Sequence, residues 1–268
     1  MRRARLFARI AGEILVPSGV VVALFGVYEL SWSNVEATAA QRELTGEMRR
    51  SWGSAAPRDG VGDSVGDSGG DGPSGKLSGT ERPPASGEGL ALLHIPRLGE
   101  GWVRPVVQGV AAADLARGVG HYAETALPGE VGNFAVAGHR ATRGEPLRHL
   151  DRLRTGDAVV VETRDAWFTY AVRVDPVVVA STATGVIAPV PDSVAPVPDA
   201  SRSGEAPAEQ VERGEPGERL LTLTTCHPRW SSEQRMIVHA SLVEERPHAA
   251  GSPPALAGAR PGTTPGGA

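Results

Sequence analysis

Hydrophobic and polar positions divide this chain into stretches of different texture. From about Ile14 to Trp32 the residues are almost all apolar, broken by Pro17, Ser18, Gly19 and Gly26 and reaching Glu29 and Ser31 near the end. A run of about 20 such residues suffices to cross a bilayer as a helix. Residues 33–88 turn polar and glycine-rich with no apolar period, which predicts a disordered linker. From residue 89 onward, short apolar or alternating runs are punctuated by glycine, proline and aspartate. Leu90–Ile95, Pro105–Gly109, Phe134–Ala137, Ala158–Glu162, Trp167–Val174, Pro176–Ala180, Arg219–Thr225 and Met236–Val243 read as strands. Eight short strands in one unit predict a mostly β fold, a closed or nearly closed barrel.

Two segments within this unit carry a helical pattern. Ala111–Arg117 predicts a short helix before Gly118, and Pro146–Leu153 predicts another, with Pro146 in its first turn and Leu147, Leu150 and Leu153 on one face. After the sixth strand, Ala188–Asp192 (Ala-Pro-Val-Pro-Asp) is repeated as Ala195–Asp199. Proline at alternate positions forbids a sheet ladder and favours polyproline II. The chain therefore divides into a basic tail and anchor (1–32), a linker (33–88), a folded domain (89–245) and a disordered tail (246–268).

Composition narrows the function classes. The formal net charge is −4, and no basic stripe with interleaved aromatics appears, which argues against nucleic acid as a partner. Arg2, Arg3, Arg5 and Arg9 precede the apolar run, so the positive-inside rule places the N-terminus in the cytoplasm and the folded domain outside the cell, as a single-pass membrane protein. Ala37-Thr38-Ala39 offers a competing signal-peptide cleavage site, but the apolar run exceeds the usual signal core, which favours an uncleaved anchor. Within the linker, Val61-Gly-Asp-Ser recurs as Val65-Gly-Asp-Ser68, and Asp63, Asp67 and Asp71 are spaced by four. Two copies cannot stack into a calcium-binding repeat.

Candidate chemistry concentrates at strand ends. Cys226, the single cysteine, ends the run Leu221-Thr-Leu-Thr-Thr-Cys226, and Arg235 opens the last strand. His139 closes the run Asn133-Phe-Ala-Val-Ala-Gly-His139. A cysteine nucleophile, a histidine partner and a fixed cation together make an acyl-transfer site. A cysteine thiol ordinarily titrates near about 8.5, so a neighbouring base must catch its proton during attack. Alternation puts Met236, Val238, Ala240 and Leu242 on the apolar side of the last strand, so Arg235 points outward. If that strand pairs antiparallel with the one ending in Cys226, the two side chains meet across a groove on the barrel wall. His227 suggests a zinc site with Cys226 and His139, but adjacent residues of an extended chain face opposite ways and no second spaced pair exists, so no metal and no cofactor is expected. His149 and His239 read as surface residues.

Gly132–Arg140, Thr222–Pro228 and Arg235 occur in an order that resembles the sortases, specifically the class E housekeeping sortases of actinobacteria; the resemblance spans roughly residues 89 to 245. It implies an eight-stranded sortase-type β-barrel behind an N-terminal membrane anchor. It also implies a cysteine transpeptidase that cuts a C-terminal sorting signal, Leu-Ala-X-Thr-Gly or Leu-Pro-X-Thr-Gly, between Thr and Gly through a thioester. The partners implied are secreted proteins bearing that signal and an amine of a lipid-linked cell-wall precursor. By motif, Cys226 is the nucleophile, His139 the acid/base and Arg235 the stabilising cation. Tyr122 is a candidate contact for the sorting signal, and so are Val186, Ile187 and Ala188 of the loop that borders the substrate groove in the family.

Rival readings remain open at this level. An L,D-transpeptidase expects glycine before its cysteine and arginine two residues after, whereas Thr225 and Pro228 occupy those positions. A plain cysteine peptidase would resolve the same thioester with water. A class C pilus-polymerising sortase would bring an aspartate and aromatic lid, and the linker offers only Trp52 without an adjoining acid. A non-catalytic, membrane-tethered wall-binding module would not need the complete Cys226, His139 and Arg235 set.

Overall fold

The computed structural model describes residues 2–54, 84–192 and 214–257. Among these residues, nine strands form one sheet: β1 (Gly89–His94), β2 (Val103–Gln108), β3 (Val119–His121), β4 (Gly132–Gly138), β5 (Ala158–Glu162), β6 (Ala166–Val172), β7 (Val177–Ala180), β8 (Arg219–His227) and β9 (Gln234–Pro247). The order is β6-β5-β1-β2-β3-β4-β8-β9-β7, and β6 also pairs with β9, closing the sheet into a barrel. The length of β9 makes closure possible. One edge of it pairs with β8, while the other pairs first with β7 and then with β6. The expected strands are present with boundaries shifted by a few residues; β3 is additional, its three residues centred on Gly120 being too short for a periodic signal.

Alternating side chains fill the interior. Phe134 and Val136 of β4, Leu221 and Leu223 of β8, and Met236, Val238 and Ala240 of β9 share one cluster with Leu93, Val106, Val161 and Tyr170. The segment Pro146–Leu153, expected as an α-helix, forms successive i→i+3 turns ending in a 3₁₀ helix at Leu150–Arg152. Leucines three apart align along one side of a 3.0-residue turn, and Leu147, Leu150 and Leu153 are all fully buried. The shorter expected helix is α2 (Ala112–Arg117); by chain order it follows α1 (Arg2–Ser54). At its start, Asp114 accepts a hydrogen bond from the Ala111 N–H at 3.0 Å.

The linker expected over 33–88 starts later than its composition suggests, because residues 33–54 continue α1. Ala37, Gln41, Leu44 and Met48 are buried, a stripe at helical spacing. Leu44 and Met48 pack on Leu92 and Val107, flanked by Trp52 and Val103. Residues 84–88 already belong to the barrel edge, with the Gly87 N–H donating to Gln108 O at 2.7 Å. The Val-Gly-Asp-Ser repeat, the second Ala-Pro-Val-Pro-Asp copy and residues 258–268 lie outside the described residues. Among the described residues no helix is long and apolar enough to cross a membrane.

The tail expected to be disordered from 246 is ordered at its start. His248 stacks on Trp167 at 5.0 Å and 8°, and its Nε2 lies 3.1 Å from Glu162. Burial acts to raise the Glu162 pKa, but hydrogen bonds from His94 and His248 and the charge of Arg49 outweigh it, holding the carboxyl below its usual range. One buried acid thus ties β1, β5, the C-terminal segment and α1 together.

Leu147→Ala is expected to destabilise the fold by about 2–5 kcal/mol, because it leaves a cavity where the 3₁₀ segment plugs the barrel. Urea unfolding checks this, and a midpoint equal to that of the parent chain would contradict it.

Candidate active site

Three adjacent strands carry the candidate residues. β4 and β8 run parallel in register from Gly132 opposite Arg219 to Gly138 opposite Thr225, so the next position on each strand is His139 and Cys226. β8 and β9 run antiparallel, with Cys226 directly opposite Arg235. The condition set by the sequence for their meeting is therefore satisfied. Because neighbouring strands lie about 4.8 Å apart, His139, Cys226 and Arg235 form a row across the barrel wall. The period of two puts all three on the outer face, since Phe134, Val136, Leu221, Leu223, Met236 and Val238 occupy the inner one.

Along that outer face the side chains are small, Ala135 and Ala137 of β4 and Thr222 and Thr224 of β8, and all but Ala137 are buried. Two loops wall it. After β3, Tyr122 reaches over and its hydroxyl lies 3.1 Å from Thr224 Oγ1. After β7, residues 184–192 are pinned by Asn133, whose Nδ2 donates to Val186 O at 3.2 Å and Ala188 O at 3.0 Å. Val186 is buried against Val177, Val179 and Ile237, so its side chain seats the loop, whereas Ile187 and Ala188 are half-exposed. Ala188 at φ −57°, ψ 155° has polyproline II dihedrals, but the stretch expected to extend in that form bends back, the Asp192 N–H donating to Gly185 O at 3.2 Å.

Each member of the row has distinct surroundings. Cys226 is a free thiol, partly exposed. His139 is half-buried; burial first, then the charge of Arg143, hold its imidazole below the ordinary histidine range. At neutral pH it is an uncharged base. Arg235 is anchored through Nη1, which donates to Ser232 O at 2.8 Å and Gln234 O at 2.9 Å.

Sequence reasoning missed the supports behind the row. At the last ladder pair, Thr225 Oγ1 donates to Gly138 O at 2.7 Å. Arg140 and His227, the neighbours of His139 and Cys226, meet through Nη1 and Nδ1, and Arg140 Nη2 donates to Asp151 at 3.2 Å. With His227 buried and its Nδ1 so engaged, it is a strut between β4 and β8, and no group of three or more His, Cys, Asp or Glu among the described residues could hold a metal ion. The alternation that places Thr222 and Thr224 on the Cys226 face was a usable signal for the groove floor. Nothing local signals the Arg140–His227 contact.

Known proteins resemble this chain in both sequence and fold. The sortase domain family matches residues 93–243. The chain is 37% identical over 256 residues to sortase SrtE1 of Streptomyces coelicolor, covering 93% of this chain and 61% of that protein, so it spans about three-fifths of that relative's length. It is 31% identical over 247 residues to sortase SrtE2 of the same organism, covering 87% of this chain and 81% of the relative. The solved structure of sortase E from Streptomyces avermitilis superimposes with a TM-score of 0.52 at 41% identity, covering 65% of this chain and 99% of that one.

His239, expected at the surface, is instead buried, its Nδ1 2.8 Å from Thr222 Oγ1. It does lie on the non-core face of β9, but the 184–192 loop covers that face as a second layer. His149 is half-buried beside Trp102, Arg104 and Arg148. Burial, with a smaller contribution from Arg173, lowers the His239 pKa to about 4. An unfolded-chain histidine titrates near about 6.5. The unfolded state therefore takes up a proton that the folded state refuses, and stability falls as pH drops through the window between these values. The loss is about 2 kcal/mol by pH 5, with no effect above pH 7. His239→Gln, which keeps a partner for Thr222, is expected to flatten this dependence; equal pH slopes for both proteins in thermal unfolding would contradict it.

Proposed function

Since the chain belongs to the sortase family, we propose that it is a membrane-anchored cysteine transpeptidase that cleaves C-terminal sorting signals and transfers the upstream protein to a cell-wall amine. The observation that carries this reading is the row in which Cys226 stands opposite Arg235 with His139 at the next rung of the parallel ladder. Cys226 Sγ attacks the threonine carbonyl carbon of the signal as neutral His139 takes the thiol proton. The carbonyl oxygen becomes an oxyanion, for which the Arg235 guanidinium supplies fixed positive charge and hydrogen-bond donors. Collapse breaks the C–N bond, and the imidazolium gives its proton to the departing glycine amine. A thioester remains. An incoming amine of a cell-wall precursor then attacks it, His139 takes the amine proton and returns it to the sulfur, and a new amide leaves.

The groove between Tyr122 and the 184–192 loop suits an extended peptide. Ile187 and Ala188, both half-exposed, offer apolar contact on one wall, with Tyr122 on the other. On this reading the sorting signal takes either the Leu-Ala-X-Thr-Gly or the Leu-Pro-X-Thr-Gly form.

Anchoring is supported by α1. Leu15, Val16, Val20, Val21, Val22, Leu24, Phe25 and Tyr28 are each more than half exposed, an apolar surface that lipid would cover. With Arg2, Arg3, Arg5 and Arg9 ahead of it, the segment 14–32 would span the membrane with the barrel outside the cell.

The full chain in detergent, given Leu-Ala-X-Thr-Gly and Leu-Pro-X-Thr-Gly peptides with a glycine amine, is expected to yield the transpeptidation product by mass. Cys226→Ala should abolish it, and Arg235→Ala should lower kcat by roughly 10²–10³-fold without unfolding the barrel. Undiminished turnover by the alanine variant at 226 would remove the nucleophile.

A further inference from the structure

The loop that follows His139 is held in a conformation it would not adopt alone. Arg143, Gly144 and Glu145 stand in succession at φ 55°, 77° and 46°. Left-handed backbone at a non-glycine residue is costly and persists only where the surroundings impose it, and here two such residues flank a glycine. The loop folds back onto the site, because the Leu147 N–H donates to His139 O at 3.1 Å.

The imposition comes from two sides. Glu145 accepts hydrogen bonds from Arg148 at 2.7 Å and from Arg229 at 2.8 Å, the latter just beyond Cys226. The other side is α1. Gln41 Nε2 donates to Arg143 O at 3.0 Å, and the Gly144 N–H donates to Asn34 Oδ1 at 3.1 Å. Gln41 is only 3% exposed. A Cβ on Gly144 would lie 2.9 Å from Gln41 Nε2 and 3.2 Å from Thr38 Oγ1, so the helix presses directly on the strained residues. Docking of α1 does not require these bonds, since Leu44 and Met48 already bury against Leu92 and Val107. The two amides address the backbone of the His139 loop specifically.

We propose that Asn34 and Gln41 are positioning residues for catalysis, fixing Arg143 and Gly144 so that the loop presents His139 to Cys226. The inference rests on the sortase reading of the site. Both residues precede the matched sortase domain, so a segment with the composition of a tether acts as part of the active-site support.

The test uses the full chain in detergent. Asn34→Ala combined with Gln41→Ala is expected to lower kcat roughly tenfold, as for two lost hydrogen bonds, while KM for the sorting peptide stays within about twofold. Asn34→Asp, which keeps an acceptor for Gly144, should retain near-parental turnover where Asn34→Leu does not. A second readout needs no substrate: titration of His139 by NMR in histidine-labelled protein, assigned with His139→Gln. The charged and titratable groups around it are Arg140, Arg143 and Glu145 on its own loop, Cys226, His227 and Arg229 at the end of β8, and Arg235 on β9. Release of the loop moves the Arg143 charge away, so the His139 pKa should rise in the double variant. An unchanged titration, with kcat unchanged or reduced only in proportion to the unfolded fraction, would overturn the proposal and leave α1 merely docked. If the parent chain transfers no peptide while the titration still moves, the transpeptidase reading fails and the positioning by α1 stands.

Discussion

Register among β4, β8 and β9 is the constraint on which the site depends. Side chains alternate with a period of two, so each inward residue fixes its neighbours outward. Phe134, Val136, Leu221, Leu223, Met236 and Val238 face the interior, and burial of each such side chain is worth about 1.5–3 kcal/mol. A slip of one residue in any of the three strands would expose that set and turn His139, Cys226 or Arg235 into the core. Hydrophobic burial that never touches substrate therefore sets the geometry of the chemistry. Where the β4–β8 ladder ends, the Thr225 hydroxyl ties its last pair together and the Arg140–His227 contact carries the same alignment beyond it.

Charge around the row works in the same direction as geometry. Arg140, Arg143 and Arg235 accompany His139 and Cys226, while Glu145 and Asp151 engage Arg229, Arg148 and Arg140. A positive surrounding opposes a resting imidazolium and favours a developing oxyanion. On the proposed reaction, the imidazole is then ready to accept the thiol proton at the start, and the anionic intermediate meets a cation at the midpoint. Burial of His139 contributes to the first requirement and leaves the second to Arg235.

Much of this was legible from the sequence, for physical reasons that also mark where legibility ends. The barrel strands showed because alternation writes the inner face directly into the order of residues. Arg235 could be placed outward on that ground alone, whereas its place opposite Cys226 waited on the antiparallel pairing of β8 and β9. β3 was too short to carry a period. His239 was misplaced because alternation distinguishes core from non-core faces and says nothing of a second layer, here the loop seated by Val186 over Thr222. The leucines of 146–153 fitted two helical periods, and burial of a three-residue repeat chose the tighter one. The docking stripe of α1, Ala37, Gln41, Leu44 and Met48, was hidden by its polar second member and by partners far away in the chain.

That stripe changes what the N-terminal segment does. A flexible tether over 33–88 would let the barrel roam on the order of 40 Å from its anchor. The helix instead continues and presses against β1, β2 and the His139 loop, while Gly89 packs so closely on Met48 that a Cβ there would lie 2.6 Å from the sulfur. Both flanks of residues 55–83 are thus held near the same barrel edge, and the length between them no longer sets reach. Helical rise is about 1.5 Å per residue, so Gln41 stands only about 14 Å along the axis beyond Trp32, the end of the proposed span. On that reading the helix that anchors the protein also fixes the active site close to the bilayer surface. A lipid-linked amine is confined to that surface, and a site held there meets it without searching a volume.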